Sequence, residues 1–332
     1  MTFNQGLVSV IVASYNHAEF LDQRIQSLLA QDYKNIEIIV IDDASTDQSP
    51  KILKTYKNVS NLIVIELGRN TGWVSVSNLG ARKSKGEYLV FANCDDYADP
   101  RQISKLVQGL ETNPSAGLAF SRSNIVDAAG FTLGNDFDSR GIKFRKTCSR
   151  DTLISSRLMT QFLHQSIVIP NLSAAMFRKS VFMEIGLFTG TAKIAGDWEL
   201  YFRLAEKYDV SYLCEPLNFF RSHEDTIRSQ TKVFEMQQDI GMLLVNRMRI
   251  SKENVIWKFR FKLRLLYLLM LLVRTLNLED VKVCILLLID ICKYDKSLIL
   301  ILPIALFVRI LRIPIGASLR VGRVLKQHFT KI

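Results

Sequence analysis

The chain has 332 residues, of which 48% are hydrophobic and 23% charged, a balance that favours a folded protein with a sizeable core and excludes global disorder. Its net charge of +11 is concentrated at one end, because residues 250–332 alone carry 15 Lys and Arg against 5 Asp and Glu. The five cysteines are scattered without a C-x-x-C pair, which argues against a zinc cage or a disulfide framework and favours a reducing, cytosolic setting.

Apolar runs alternate with amphipathic stretches over the first 120 residues. The runs predict strands at residues 7–13, 36–41, 61–67, 87–92 and 116–120, and the stretches between them predict helices at 18–30, 47–56, 73–83 and 99–112. Asp99 is expected to cap the last of these helices and Pro100 to open it. Strands that are apolar nearly throughout and alternate with helices indicate an α/β fold, a Rossmann-like mostly parallel sheet with helices on both faces.

The next hundred residues are less regular. We predict a helix at 197–207 and two short strands, at 210–214 and 217–221. No stretch rich in Pro or Gly separates this part from the preceding one. Residues 1–225 are therefore predicted to form one domain, and residues 226–332 a C-terminal helical region.

Polar residues follow three of the predicted strands at their carboxyl ends. They are Ser14, Tyr15 and Asn16 after the first strand, Asp42 and Asp43 after the second, and Asp95 and Asp96 after the fourth. Ligands of open α/β sheets bind outside the carboxyl ends of the strands, so these residues are expected to converge. The chain has no G-x-G-x-x-G, Walker or H-E-x-x-H motif, and so lacks the usual glycine-rich phosphate-binding loop. If the protein binds a phosphate, a divalent cation held by carboxylates is the natural group to neutralise its charge. A solvated turn before a helix is the alternative for Asp95 and Asp96.

Four segments in this order resemble the family 2 glycosyltransferases with the GT-A fold. They read "VSVIVASYN", "IEIIVIDDASTD", "GEYLVFANCDD" and "AGDWELYFRLA", and the resemblance covers about residues 7–225. It implies inverting transfer of a sugar from a nucleotide-diphosphate sugar, most often UDP-linked, to an acceptor hydroxyl.

The resemblance also implies roles for single residues. Tyr15 matches the aromatic residue that stacks on the base, Asp43 the acid that hydrogen-bonds the base, and Asp95 the acid near the ribose. Ser14, Asn16 and Asn78 are assigned to the same nucleotide-sugar site. Asp96 matches the ligand of a Mn²⁺ or Mg²⁺ ion, His223 is assigned as a further metal or diphosphate contact, and Asp197 matches the catalytic base. The run Phe220-Arg221-Ser222-His223 resembles an element near the diphosphate.

Two positions depart from the family pattern. Asn93 stands where many members have Asp, and Ser77 where many have Arg. These departures motivate one alternative, a catalytically inactive sugar-nucleotide-binding scaffold; a polyprenyl-phosphate sugar transferase is another. For single residues, Asp197 could be a simple helix cap and His223 a surface histidine.

The C-terminal quarter combines basic and apolar residues. Residues 257–264 interleave Lys and Arg with Trp, Phe and Leu, and apolar runs follow at 265–273, 283–289 and 298–308. None reaches the roughly 20 residues that span a bilayer, so we predict docking on an anionic membrane surface, with spanning and an ordinary helical bundle as alternatives. The apolar density argues against nucleic acid. With the resemblance, this predicts a peripheral or monotopic enzyme at the cytoplasmic face of the cell membrane, acting on a polysaccharide, lipopolysaccharide or lipid-linked glycan.

Overall fold

The structure is a computed structural model. It describes residues 6–164, 168–169, 171–190 and 195–223, and isolated positions at 235, 239, 240, 243, 244, 247 and 303. The predictions for the C-terminal region, including the basic run at 257–264 and the three apolar runs, lie outside the described residues.

The described residues form ten strands and eight α-helices. The strands are β1 (Val8–Ser14), β2 (Ile36–Asp42), β3 (Leu62–Glu66), β4 (Tyr88–Asn93), β5 (Tyr97–Ala98), β6 (Ala116–Val126), β7 (Thr132–Asn135), β8 (Thr152–Ile154), β9 (Ala175–Arg178) and β10 (Asp209–Arg221). The helices are α1 (Ala18–Leu29), α2 (Ser49–Thr55), α3 (Trp73–Lys83), α4 (Gln102–Thr112), α5 (Ile142–Thr147), α6 (Ser156–Leu163), α7 (Lys179–Glu184) and α8 (Gly196–Ala205).

All ten strands belong to one sheet. Its order is β3-β2-β1-β4-β9-β6-β10-β5, with β7 paired to β6 and β8 paired to β10. The first four strands are parallel, as the sequence predicts, and so are β6 and β10. Strand β9 lies between β4 and β6 and is antiparallel to both, which makes the sheet mixed. The predicted α/β class is confirmed.

The core lies on both faces of the parallel strands. On one face, Val8, Val10 and Val12 of β1 belong to a large buried cluster with apolar residues of α1 and α4. On the other face α3 packs closely, because a Cβ on Gly80 would lie only 2.4 Å from the Ile11 side chain. Side chains of β1 alternate between the two faces, so both must be apolar.

Among the boundaries that differ from the sequence prediction are the start of α4 and the extent of β10. Helix α4 begins at Gln102, three residues after Asp99, whose carboxylate accepts a hydrogen bond from the Arg101 backbone N–H at 2.9 Å. The two short strands expected after residue 210 are one strand of 13 residues. Its register shifts around Pro216, which has no N–H for the ladder, and this irregularity looks like a strand break in the sequence.

The chain separates into two compact units. The first comprises residues 1–163, 167–190 and 200–223, and the second comprises residues 164–166, 191–199 and 224–332. The boundary near residue 225 stays a prediction. None of the helices in the described ranges combines the length and the apolar composition that a membrane span requires.

Candidate active site

Three side chains of the first unit form a potential metal site beyond the carboxyl ends of β1 and β4. One ligand atom each of His17, Asp95 and His223 lies within 4.8 Å of the others, and all three residues are half-buried. His223 Nε2 lies 3.2 Å from Asp95 Oδ2. Two imidazoles and a carboxylate at this spacing are a donor set that suits a divalent transition metal. We call this group the three-ligand cluster.

The tautomer of His17 is set by its neighbour. His17 Nδ1 lies 2.6 Å from the carbonyl oxygen of Tyr15, which can only accept a hydrogen bond. Nδ1 therefore carries the hydrogen, and the lone pair of neutral His17 is on Nε2, the atom that can bind a metal. A second ring nitrogen held by a backbone carbonyl is the usual support of a metal-binding histidine.

Asp95 is suited to remain ionised. Burial by itself raises the pKa of its carboxyl group, but the hydrogen bond with His223 and the nearby His17 outweigh burial and lower the pKa below its usual range. An ionised carboxylate at the centre of the three-ligand cluster is what a cation requires.

Asp96 has different surroundings. It is only 1% exposed, and its two oxygens accept hydrogen bonds from the Arg221 backbone N–H and from Asn171 Nδ2, both at 2.9 Å. Burial, and then the charge of Asp95, raise its pKa well above the usual range. The geometry thus favours Asp95, which the resemblance places near the ribose, over Asp96 as the metal ligand.

A buried cation lies behind this pair of acids. The Arg24 guanidinium is fully buried, and its nitrogens have no hydrogen-bond partner among the described residues. Burial lowers the pKa of Arg24, and Asp96 is the largest of the neighbouring charges that oppose this shift. Arg24 therefore offsets part of the repulsion between Asp95 and Asp96 when no metal is bound.

Four of the predicted nucleotide-binding residues, Ser14, Tyr15, Asn16 and Asp43, lie at or just after the ends of β1 and β2. Tyr15 is 42% exposed and thus accessible to a base. Asp43 is buried, and its carboxylate accepts hydrogen bonds from the backbone N–H groups of Thr71 and Gly72, both at 2.8 Å. Its oxygens are directed at its own protein, so a base would have to share or replace these contacts. Ser14 is buried beside the Cys94 thiol, below the surface of the site.

Asn16 and Asn78 make contacts within the protein. Asn16 adopts a positive φ of 54°, and its side-chain oxygen accepts a hydrogen bond from the Thr46 backbone N–H at 2.8 Å, which joins the loops after β1 and β2. Asn78 pairs with the backbone of Phe188, donating to its oxygen at 2.8 Å and accepting from its N–H at 3.0 Å. Both side chains fix loops, and a direct donor contact stays a prediction for each.

Asp197 belongs to the second unit. It lies in the first turn of α8, where its carboxylate accepts a hydrogen bond from the Trp198 backbone N–H at 2.7 Å. In the same unit, Glu199 pairs with Arg247, and the Ala195 N–H donates to Asp239 at 3.0 Å. The role of Asp197 as base stays a prediction.

The comparison with known families decides the class of protein. The profile described as "Glycosyl transferase family 2" matches residues 9–186, more than half of the chain. The chain belongs to glycosyl transferase family 2. The resemblance to this family is thereby confirmed, and the protein is a glycosyltransferase.

Relatives and solved structures agree with the family. This family 2 glycosyltransferase is 35% identical over 133 residues to the Escherichia coli UDP-Glc:alpha-D-GlcNAc-diphosphoundecaprenol beta-1,3-glucosyltransferase WfaP, a match that covers 40% of this chain and about half (51%) of that one. It superimposes on Staphylococcus aureus TarS 1–349 in complex with UDP-GlcNAc with a TM-score of 0.69 and 19% identity, over 91% and 87% of the two chains. The Pyrobaculum calidifontis mannosyltransferase PcManGT in complex with GDP-Man and Mn²⁺ gives a TM-score of 0.55 and 16% identity, over 94% and 89%. Both structures share its fold.

Sequence reasoning missed three residues of the site. His17 was overlooked, although its position three residues after the end of β1 was a usable signal. Asn171 and Arg24 carry no such signal, since Asn171 reaches Asp96 from 75 residues away and Arg24 reads as one exposed position of an amphipathic helix.

Proposed function

We propose that the protein is an inverting glycosyltransferase that moves a sugar from a UDP-sugar to an acceptor hydroxyl with the help of a divalent metal. The three-ligand cluster carries this proposal, because it lies at the strand ends where the nucleotide loops also lie. The UDP-GlcNAc bound by TarS and the UDP-Glc in the name of WfaP support a uracil nucleotide.

The donor atoms of the three-ligand cluster fit Mn²⁺ better than Mg²⁺. Mg²⁺ prefers oxygen ligands in octahedral geometry, whereas imidazole nitrogen suits the transition metals. The Mn²⁺ in the PcManGT complex agrees with this choice. A bound cation would supply Lewis-acid stabilisation of the charge on the leaving nucleoside diphosphate. His17, Asp95 and His223 would hold it, and Tyr15 would stack on the base.

Asp197 is proposed as the base that removes the proton of the attacking hydroxyl. Such assistance is worth about 10²–10⁴-fold in rate. Its place in the first turn of α8 suits a negative charge, because the helix dipole stabilises an anion there. An ionised carboxylate is the form that can accept the proton.

The acceptor is proposed to be a hydroxyl of a growing polysaccharide, lipopolysaccharide or lipid-linked glycan. The diphosphoundecaprenol-linked acceptor in the name of WfaP supports the last of these classes. A lipid-linked acceptor would place the enzyme at a membrane, where the basic, apolar C-terminal quarter is proposed to dock on anionic lipid.

The proposal is tested by release of UDP from a panel of UDP-sugars with Mn²⁺ and with EDTA. We expect release only with metal, loss of it in Asp95→Asn and Asp197→Asn, and full activity in Asp32→Asn, an exposed acid outside the site. Binding of UDP without turnover by the wild type, with every acceptor class supplied, would identify the inactive scaffold instead. Turnover in EDTA equal to that in Mn²⁺ would contradict the metal assignment.

A further inference from the structure

Arg221, the last residue of β10, makes an unusually complete set of contacts within the protein. It is 2% exposed. Its Nε donates a hydrogen bond to the backbone oxygen of Asp95 at 2.7 Å, and its Nη2 donates to Gln23 Oε1 at 2.5 Å. Its Nη1 donates to the backbone oxygens of Asp127 and Ala128 at 3.2 and 2.5 Å. Four of the five guanidinium N–H groups therefore have acceptors inside the protein.

Aromatic rings hold the same guanidinium in place. Its Cζ lies 4.7 Å from the centre of the Phe20 ring and 5.5 Å from that of the Tyr97 ring. Both distances are within the range of cation–π attraction. Arg221 therefore has little exposed surface and few free N–H groups for an anionic ligand such as the diphosphate. The resemblance implies that residues 220–223 lie near that diphosphate.

Two partners of the Arg221 side chain, Gln23 and Asp95, belong to the segments that carry the other two ligands of the three-ligand cluster, and Asp127 and Ala128 anchor it to the turn after β6. Gln23 lies on α1, which begins directly after His17. The Asp95 carbonyl belongs to a ligand residue itself, and the third ligand, His223, follows Arg221 by two residues. The Arg221 backbone N–H also donates to Asp96. One residue thus connects the His223 segment, to which it belongs, with the segments that carry His17 and Asp95.

We propose that Arg221 is a positioning residue that holds His17, Asp95 and His223 in register for the metal, and that it does not bind the diphosphate. The inference rests on the proposed metal-dependent function. The guanidinium fork of Arg221 is essential for this positioning role. Its four acceptors lie in different directions, and the ammonium group of a lysine cannot reach them all. Residues that orient metal ligands typically contribute about 10–100-fold to metal affinity.

The test separates positioning from diphosphate binding by measuring two affinities of Arg221→Lys. We expect Mn²⁺ affinity without nucleotide, followed by electron paramagnetic resonance, to fall about 10–100-fold. UDP affinity in EDTA should stay within about twofold, because the lysine keeps the charge and the guanidinium does not touch UDP. Arg122→Lys, a half-buried arginine of β6 bonded to Tyr212, is the matched control and should change neither affinity. Unchanged Mn²⁺ affinity in Arg221→Lys, or a tenfold loss of UDP affinity in EDTA, would overturn the proposal.

A milder variant covers the case in which Arg221→Lys does not fold. Gln23→Met removes only the acceptor of Nη2, from an exposed residue, and should weaken Mn²⁺ binding about 2–10-fold, as expected for one lost hydrogen bond. Wild-type Mn²⁺ affinity in Gln23→Met would then count against the proposal.

Hydrogen exchange distinguishes failure of this inference from failure of the proposed function. In metal-free protein, peptides that cover residues 95–98 and 127–131 should exchange faster in Arg221→Lys or Gln23→Met than in the wild type. If the wild type bound no Mn²⁺ while these peptides still lost protection, the proposed function would fail and the structural role of Arg221 would stand. Unchanged protection in both variants would refute the positioning role whatever the metal does.

Discussion

The two adjacent acids offer the sharpest test of the site, because Asp95→Asn and Asp96→Asn are chemically identical changes in different surroundings. Asp95 belongs to the three-ligand cluster, whereas Asp96 is buried and accepts hydrogen bonds from Asn171 and from the Arg221 backbone N–H. We expect Asp95→Asn to weaken Mn²⁺ binding at least about 100-fold, or about 2.7 kcal/mol, because it removes the only anionic ligand of the cluster. Asp96→Asn should change Mn²⁺ affinity by less than about tenfold, or 1.4 kcal/mol.

Asp96 should instead affect how the free energy of unfolding depends on pH. Its pKa is raised to about 7 in the folded protein, so between about pH 4 and pH 7 the folded state binds more protons than the unfolded state. Stability from this group must therefore fall as pH rises through that window. Between pH 5 and pH 8 the loss, relative to Asp96→Asn, should be about 2–3 kcal/mol in EDTA.

Both halves of the prediction use simple assays. Mn²⁺ affinity is measured by titration calorimetry at one pH, and the free energy of unfolding by urea denaturation at pH 5 and pH 8 in EDTA. Asp95→Asn should lose the metal signal while the urea midpoint stays close to that of the wild type. If Asp96→Asn abolished Mn²⁺ binding and Asp95→Asn retained it, the assignment drawn from the structure would be refuted and the one drawn from the sequence restored.

Three further substitutions test single features. Tyr15→Ala should weaken UDP binding by about 1–3 kcal/mol with an unchanged melting temperature, whereas Tyr15→Phe should bind normally; equal binding by both would exclude stacking. Asn78→Ala removes a two-way pair with a loop backbone and should lower the free energy of unfolding by about 1–3 kcal/mol in urea; a higher KM for the donor at unchanged stability would favour the direct contact. Gly80→Ala brings a methyl group into Ile11 and should destabilise by about 1–3 kcal/mol, whereas Gly68→Ala, which has open space, should not; equal melting temperatures would contradict the close approach of α3.

The sequence predicts the first half of the fold well because local signals and burial agree there. In β1, β2 and β4 almost every residue is buried, and each is flanked by an amphipathic helix, so periodicity alone identifies them. Strand β10 was divided in the prediction because Pro216 interrupts a ladder that the partner strand still completes. A local sequence pattern does not show which distant strands pair. The sequence therefore does not predict β9, a four-residue strand that pairs with β4 and β6.

The sequence predicts where the site lies, but not which of its side chains face one another. Convergence of loops at the strand ends follows from topology, and the structure does bring Asp95 and His223 together from 128 residues apart. Which of two neighbouring carboxylates faces the cluster depends on the direction of a single turn, which no spacing rule specifies. The contact of Asn78 with Phe188, 110 residues away, is likewise not predictable from a local pattern.

The order of the ligands along the chain has a consequence for biosynthesis. His17 and Asp95 are synthesised early. Arg221 and His223 come last in this unit, and the Arg221 side chain reaches Gln23 across 198 residues. A nascent chain on the ribosome that ends before β10 lacks both the final ligand and the arginine. Under the proposed function, such a chain would lack the metal site, and consumption of nucleotide sugar would have to wait until the first unit has been fully translated.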